Sequence, residues 1–155
     1  MDSTKGSTTT KTAEVKITIP ALSDYVAVAR LAISGVAARM NFSIDEIDDL
    51  KVSVSEACNN VVQHAFPNGE GVICISCKIH LDHLEIIISD EGKGFDTTDI
   101  KSKKSDGVSE EESTTHFGLG LGLTFIKSLM DSSEVISIPG SGTTVRMTKN
   151  APKLS

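Results

Sequence analysis

The sequence lacks any long run of lysine and arginine, and its acidic residues outnumber its basic ones. The 155-residue chain has 21 Asp and Glu against 15 Lys and Arg, which gives a formal net charge of −6. Proteins that bind nucleic acid directly derive much of their affinity from a basic surface. We therefore expect partners that are proteins or small molecules, and no direct contact with nucleic acid.

Long apolar segments are also missing, and cysteine is scarce. The longest apolar runs, such as residues 84–88, are far shorter than the ~20 residues that cross a bilayer, and no apolar stretch of the signal-peptide type stands at the N-terminus. The three cysteines show no disulfide-scaffold spacing, which suits free thiols in a reducing compartment. These features predict a cytoplasmic protein with no membrane attachment.

The length and the apolar content predict one globular domain. A chain with 39% hydrophobic residues buries a substantial core at this size. Residues 1–12 are rich in Ser, Thr, Lys and Gly without apolar periodicity, so we expect a disordered tail followed by a single domain over residues 13–150. Residues 96–117 show no convincing helix or strand pattern, and a loop of that length is typical of a lid or a disordered segment.

Apolar periodicity predicts the elements of an α+β fold. Alternation predicts strands at residues 15–20, about 71–80, 84–89, 134–138 and 143–148. Spacing of three and four predicts helices at residues 23–40, 44–67 and about 119–130. We expect Ser23 to cap the first helix, and Ser43 with Glu46 to form a capping box at the second. The order of elements indicates helices on one face of a mixed, mostly antiparallel sheet, without Rossmann-type winding.

Glu56 and Asn60 are the first candidate functional pair. They lie one turn apart on one face of the second helix, at the edge of its apolar stripe. A carboxylate in that position can act as a general base, and an amide oxygen beside it can coordinate Mg²⁺. A solvated helix face is the ordinary alternative for such a pair, and His64, one turn further on, is typical of a structural hydrogen-bonding residue.

Asp90, Gly92 and Gly94 form the second candidate group, directly after a predicted strand. The carboxylate can accept a hydrogen bond from an exocyclic amine such as that of adenine. The glycines allow the backbone to approach a ligand closely or to adopt a positive φ. A plain turn is the alternative for this group, because Asp and Gly are common in turns.

The third group is the glycine run formed by Gly118, Leu119, Gly120, Leu121 and Gly122 at the start of a predicted helix. Free N–H groups at a helix N-terminus bind anions, and glycine leaves them unobstructed. A hinge is the alternative, but each glycine weakens a helix by about 1 kcal/mol relative to alanine, which favours a compensating use in phosphate binding. The run matches neither the P-loop pattern nor a dinucleotide fingerprint within a βαβ unit.

Cys74, Cys77, His80 and His83 superficially have the spacing of zinc ligands. Residues three apart in a strand face opposite sides and are separated by roughly 10 Å, so the two cysteines cannot share one tetrahedral ion. The gap between the two pairs is also too short for a zinc finger. We expect no metal site here.

Four groups of residues, in order, resemble the motifs of the ATPase superfamily shared by gyrase, Hsp90, histidine kinases and MutL. They are Glu56-Ala57-Cys58-Asn59-Asn60 with His64, Asp90-x-Gly92-x-Gly94, Gly120-Leu121-Gly122-Leu123, and Gly142-Thr143-Thr144. Within the superfamily, residues 30–40 and 55–65 most resemble bacterial anti-sigma factor serine kinases, the switch-protein kinases of stress and sporulation control. The resemblance covers nearly all of residues 15–149.

The resemblance implies a Bergerat-type two-layer sandwich with an ATP lid at about residues 96–117. It implies a cytoplasmic homodimer that holds a sigma factor inactive, and that phosphorylates a serine of an anti-anti-sigma antagonist with ATP and Mg²⁺. The alternative is a nucleotide-gated protein-binding module without phosphotransfer.

The same resemblance implies individual residue roles. Glu56 would be the base for the seryl hydroxyl, and Asn60 would be the Mg²⁺ ligand. The remaining residues around the nucleotide would be Asp90 for the adenine amine with Gly92 and Gly94 beside it, Thr143 or Thr144 in support of that contact, and Gly118, Leu119, Gly120, Leu121 and Gly122 around the phosphates. Arg30 matches an arginine at the partner surface.

One departure from the family pattern concerns the phosphates. Some relatives carry a basic residue just before the second glycine motif, where this chain has Thr115-His116-Phe117. The group that neutralises the phosphate charge therefore stays open.

Overall fold

A five-stranded antiparallel sheet organises the chain. The computed structural model describes residues 13–66, 70–92 and 123–152, and the sheet order is β1-β2-β3-β5-β4. The strands are β1 (Ala13–Pro20), β2 (Val72–Ile79), β3 (His83–Asp90), β4 (Ser132–Ile138) and β5 (Gly142–Asn150). Each of the four pairings is antiparallel. The α+β prediction is confirmed, and no parallel pair occurs among the described strands.

Helices cover one face of this sheet. They are α1 (Val26–Arg39), α2 (Ile44–Asn60) and α3, which occupies residues 123–129 of the described chain. In β3 the side chains of Leu84, Ile86 and Ile88 are buried while the alternating positions are partly exposed, the pattern of a sheet with one covered face. Ile33 of α1 and Leu50 of α2 are buried in the same core. The two-layer arrangement is thereby confirmed.

The predicted cap of the first helix is wrong. Ser23 lies in a short 3₁₀ turn, Ser23–Tyr25, and α1 begins at Val26 with Tyr25 as its N-cap and no side-chain cap bond. The turn is closed by the Tyr25 N–H, which donates to the Leu22 carbonyl at 3.0 Å. A serine in a 3₁₀ turn before the helix looks in sequence like an N-cap, because both positions favour the same residue type.

The predicted start of the second helix is confirmed, but its end differs. The Glu46 N–H donates to the Ser43 hydroxyl at 3.1 Å, and the Ser43 N–H donates to the Glu46 carboxylate at 2.9 Å. The α-helix ends at Asn60, and a π-helical turn, Val61–Ala65, follows it. π-helical turns are rare in proteins overall, but those that occur are often found at functional sites.

Removing the capping hydroxyl should destabilise the protein modestly. Ser43→Ala leaves the Glu46 N–H without its partner, so we expect a loss of about 1 kcal/mol in the free energy of unfolding, measured by urea denaturation. Ser43→Asp, which keeps an acceptor at the N-cap, should stay near the wild-type value. Equal stability of the alanine and aspartate variants would show that the capping box contributes nothing.

The cysteines are free thiols, and they lie in different environments. Cys58 and Cys77 are buried, whereas Cys74 is exposed. Burial raises the pKa of Cys58 to about 12 and that of Cys77 to about 11, so both thiols are protonated and unreactive at neutral pH. None of the described helices is both long and apolar enough to cross a membrane.

Candidate functional site

A pocket lies between the C-terminal end of α2 and the sheet. It encloses about 360 Å³ of space, a volume that includes the solvent at its open mouth. Its walls are formed by Ala57, Asn60, Val61, His64, Ala65, Asp90, Leu123, Val135, Thr143 and Val145. The lining is mostly apolar with a few polar groups, which is the composition typical of a small-molecule site.

Asp90 supplies the carboxylate of the pocket. It is the last residue of β3 and is 7% exposed. Its Oδ1 accepts a hydrogen bond from the Gly92 N–H at 2.8 Å, whereas its buried Oδ2 has no partner among the described residues. Burial raises the pKa of Asp90, and the hydrogen bond from the Gly92 N–H opposes this rise. A buried carboxylate oxygen without a hydrogen-bond donor is costly, so this oxygen is available to accept a hydrogen bond from a ligand.

Two glycines hold the turn of Asp90 in place through close packing. A Cβ on Gly92 would lie 2.6 Å from both Cβ and the carbonyl oxygen of Ala65, and a Cβ on Gly142 would lie 2.1 Å from the carbonyl oxygen of Asp90. Gly142 also has a positive φ of +102°. The sequence suggests two reasons for a glycine at position 92, a close approach of the backbone or a positive φ. The structure supports the close approach, because Gly92 packs against Ala65 of the π turn and has no positive φ.

Thr143, and not Thr144, lies in the pocket wall. Thr143 pairs with Asp90 across β3 and β5, is 8% exposed, and has its Oγ1 2.7 Å from the Ser137 hydroxyl. Thr144 faces the other side of the sheet, because side chains alternate along a strand. The structure therefore distinguishes the two threonines that the sequence left as alternatives.

Asn60 brings an amide to the same pocket. It is the last residue of α2, and its buried Nδ2 has no hydrogen-bond partner in the described ranges. An unsatisfied amide and an unsatisfied carboxylate oxygen thus face one cavity, and both need a polar ligand. His64 and Leu123 line the cavity as well. From the sequence, His64 is predicted to be a structural residue. Leu123 is recognisable in the sequence because it directly follows the glycine run.

Glu56 does not line this pocket. It lies in a neighbouring groove between α1 and α2, lined by Arg30, Asp48, Lys51, Val52, Ser55 and Glu56. Glu56 is half-buried, and among the described residues it has neither a salt bridge nor a hydrogen bond. Glu56 and Asn60 are one helical turn apart, so the groove and the pocket open at successive turns of α2.

Arg30 shares the groove with Glu56. Its Nη1 donates a hydrogen bond of 3.4 Å to the Ser55 hydroxyl, and within the described part of the chain no carboxylate lies at salt-bridge distance from it. The Lys51 ammonium lies 4.0 Å from an Asp48 carboxylate oxygen; both are exposed, so that pair contributes little. The groove therefore offers an uncompensated guanidinium and an available carboxylate.

Several predicted site residues fall outside the described residues. They are Gly94, Gly118, Leu119, Gly120, Leu121 and Gly122, and the predicted lid at residues 96–117 lies outside as well.

Similarity to known proteins is extensive. Residues 19–149 match the family model of the histidine kinase-like ATPase domain. The chain is 40% identical over 136 residues to the serine-protein kinase RsbW of Bacillus cereus (strain Q1). The aligned residues cover 88% of this chain and 84% of that protein. The chain is 39% identical, with the same coverage, to the serine-protein kinase RsbW of Bacillus anthracis (strain CDC 684 / NRRL 3495).

Solved structures share the fold at lower sequence identity. The RsbU and RsbW domains of a Mycobacterium tuberculosis protein superpose with a TM-score of 0.64 at 17% identity, over 90% of this chain and 33% of that one. The histidine kinase domain of a blue-light activated kinase from Erythrobacter litoralis gives a TM-score of 0.54 at 19% identity, over 86% of this chain and 62% of that one.

Proposed function

Because the chain belongs to the histidine kinase-like ATPase domain family, and within it to the RsbW serine-protein kinases, we propose that it is an anti-sigma factor with serine-kinase activity. It sequesters a sigma factor, and it phosphorylates a serine of an anti-anti-sigma antagonist with ATP and Mg²⁺. It acts as a cytoplasmic homodimer in the transcriptional control of stress or sporulation. It controls transcription through protein partners and does not bind nucleic acid directly.

The observation that carries this proposal is the buried carboxylate of Asp90. One of its oxygens is held by the Gly92 N–H, and the other is buried in the pocket without a partner among the described residues. The exocyclic amine of adenine is a donor that satisfies this oxygen. The apolar side chains of Val61, Leu123 and Val145 in the same pocket suit the faces of a purine ring.

Asn60 and the glycine run are the residues that would bind the phosphate end of the nucleotide. Mg²⁺ prefers oxygen ligands, and the carboxamide of Asn60, whose buried nitrogen has no partner in the described ranges, can turn its oxygen toward such an ion. The bound ion supplies positive charge against the phosphate oxygens. Gly118, Gly120 and Gly122 would offer backbone N–H groups to the same oxygens.

Phosphotransfer would take place where the groove meets the pocket. A serine of the antagonist enters beside Glu56, whose carboxylate accepts the hydroxyl proton as the serine oxygen attacks the γ-phosphorus. A bond from the serine oxygen to phosphorus forms, the bond from phosphorus to the bridging oxygen breaks, and ADP leaves. Glu56 is suited to this role because no described residue occupies its carboxylate.

The test of this function is transfer of label to the antagonist. With [γ-³²P]ATP, Mg²⁺ and the anti-anti-sigma factor encoded in the same genome, the protein should produce one labelled phosphoserine per antagonist molecule. ATP-dependent binding of the antagonist without labelled serine would instead support a nucleotide-gated binding module.

Arg30 should contribute to antagonist or sigma-factor binding. Its guanidinium has no carboxylate partner within the described chain and lies in the groove beside Glu56. We expect Arg30→Ala to weaken antagonist binding about tenfold, as measured by isothermal titration calorimetry, because charged anchors carry a large share of interface energy. ATP affinity should be unchanged. Arg39→Ala, at the C-terminal end of the same helix, is the matched control, and an equal loss in both variants would refute the specific role of Arg30.

A further inference from the structure

Ser137 is a polar residue beside the nucleotide pocket that no motif includes. It lies in β4, directly opposite Thr143 in the register of β4 and β5, and the two hydroxyl oxygens are 2.7 Å apart. On the other side of Thr143 lies Asp90, its register partner in β3. Asp90, Thr143 and Ser137 therefore form one row across three neighbouring strands, on the face that the helices cover.

The contact between the two hydroxyls limits what Thr143 can do. A hydroxyl has one proton to donate and two lone pairs to accept with. The hydrogen bond to Ser137 engages one of these and restricts the rotation of the Thr143 side chain. Thr143 also lines the pocket, so this restraint acts on a residue of the pocket wall.

Ser137 itself is not part of the pocket wall, but its hydrogen bond to Thr143 connects it to a residue that is. The alternative is that Ser137 is a structural residue of the core, and its position does not favour this role. Ser137 is half-buried, and β4 is the last strand in the sheet order. A hydroxyl at an edge strand adds little to the apolar core, whereas a 2.7 Å bond to a residue paired with Asp90 fixes polar geometry at the site.

We propose that Ser137 is a positioning residue for adenine recognition, which fixes the Thr143 side chain in the pocket wall beside Asp90, where the 6-amino edge of the base would bind. This inference rests on the proposed function, because it requires ATP to occupy the pocket. It adds to that function a determinant of base specificity from a strand outside the four motifs.

The test compares ATP with purine riboside 5′-triphosphate, which has the same sugar and phosphates but lacks the 6-amino group. Affinities of the full chain are measured by isothermal titration calorimetry with Mg²⁺. Ser137→Ala should weaken ATP binding about three- to tenfold, the usual effect of one hydrogen bond. Its affinity for purine riboside 5′-triphosphate should change less than about twofold, because the contact that Ser137 supports is absent from that ligand.

Two further variants separate positioning from general structure. Ser137→Thr keeps the hydroxyl and should restore ATP affinity to within about twofold of wild type. Ser133→Ala changes a serine on the same face of the same strand, opposite Met147 rather than Thr143, and should leave both affinities unchanged.

The outcomes distinguish this inference from the function on which it rests. If the wild type binds ATP but Ser137→Ala has no effect, or weakens both nucleotides equally, the positioning role is wrong and the proposed function stands. If the wild type binds neither nucleotide, both are overturned. Selective loss of ATP affinity in Ser137→Ala, with recovery in Ser137→Thr, supports the role.

Discussion

Replacing Glu56 with glutamine is expected to lower the rate of serine phosphorylation by about 10²–10⁴-fold, the usual contribution of a general base. Glutamine has nearly the same shape but cannot take up the hydroxyl proton. Because Glu56 lies in the groove between α1 and α2 and not in the pocket of Asp90, ATP affinity should change less than about twofold. The rate is measured under single-turnover conditions with [γ-³²P]ATP and a saturating concentration of antagonist.

Asp48→Asn is the matched control for this variant. Asp48 is another carboxylate that lines the same groove, but it is exposed and its oxygen is 4.0 Å from the Lys51 ammonium. Removing its charge should leave the rate within about threefold of wild type. A Glu56→Gln variant that transfers phosphate as fast as the Asp48 control would eliminate Glu56 as the base, even if the protein is a kinase.

The second large effect is expected at Asp90. Asp90→Asn removes the charged acceptor and presents an amide nitrogen or a neutral oxygen to the adenine amine. Hydrogen bonds to charged groups are worth about 1.5–3 kcal/mol, so ATP affinity should fall about ten- to hundredfold. Asp131→Asn serves as the control, because Asp131 accepts a hydrogen bond from the Asn150 N–H at 2.7 Å and does not line the pocket.

The stability of the nucleotide-free protein should change in the opposite direction. Burial raises the pKa of Asp90, so the ionised form is less favourable in the folded protein than in the unfolded chain. A group of this kind disfavours folding most at a pH above its folded pKa, and this penalty declines as the pH falls from the folded pKa to the lower pKa of the unfolded chain. Asp90→Asn should therefore raise Tm at pH 7, and this gain should shrink on acidification.

ATP binding should show the corresponding pH dependence. Only the ionised carboxylate is a pure acceptor for the amine, so affinity should weaken as the pH falls through the raised pKa of Asp90. The loss should begin at a higher pH than for an ordinary aspartate, and it should be absent in Asp90→Asn. A wild-type pH profile parallel to that of the Asn variant, or a lower Tm of that variant at pH 7, would contradict the role assigned to this carboxylate.

Features set by neighbouring residues were predictable from the sequence. The Ser43 and Glu46 capping box depends on residues three apart, and it forms as expected. The alternation of β3 placed Asp90 at the end of a buried strand. The sequence also allows Thr143 rather than Thr144 to be assigned to the covered face of the sheet. Thr143 and the apolar Val145 are two residues apart, so their side chains lie on the same face of the strand.

Features set by packing between distant elements were not predictable. Glu56 and Asn60 look equivalent on a helical wheel, and only the position of α1 places Glu56 in a separate groove with Arg30. The π turn after Asn60 has no recognised sequence signal, and three of its residues, Val61, His64 and Ala65, line the pocket. Ser137 becomes relevant only through the register of β4 with β5.

In the proposed function, α2 would contribute residues to the binding of both the nucleotide and the protein substrate. Asn60 of α2 lines the pocket proposed for the nucleotide, whereas Glu56, one turn earlier, lines the groove proposed for the protein substrate. A partner seated on α1 and α2 would reach Glu56 without entering the adenine end of the pocket. Binding of the antagonist and binding of ATP should therefore be separable by mutation, as the Arg30 and Asp90 variants test.

The most direct measurement is the distance from adenine N6 to Asp90 Oδ2 in a crystal structure of the protein with Mg²⁺ and a non-hydrolysable ATP analogue. We predict a hydrogen bond of about 2.7–3.2 Å, with the base between α2 and β5 and the phosphates directed past Asn60. An adenine ring bound elsewhere, with Asp90 Oδ2 still lacking a partner, would contradict the proposed pocket.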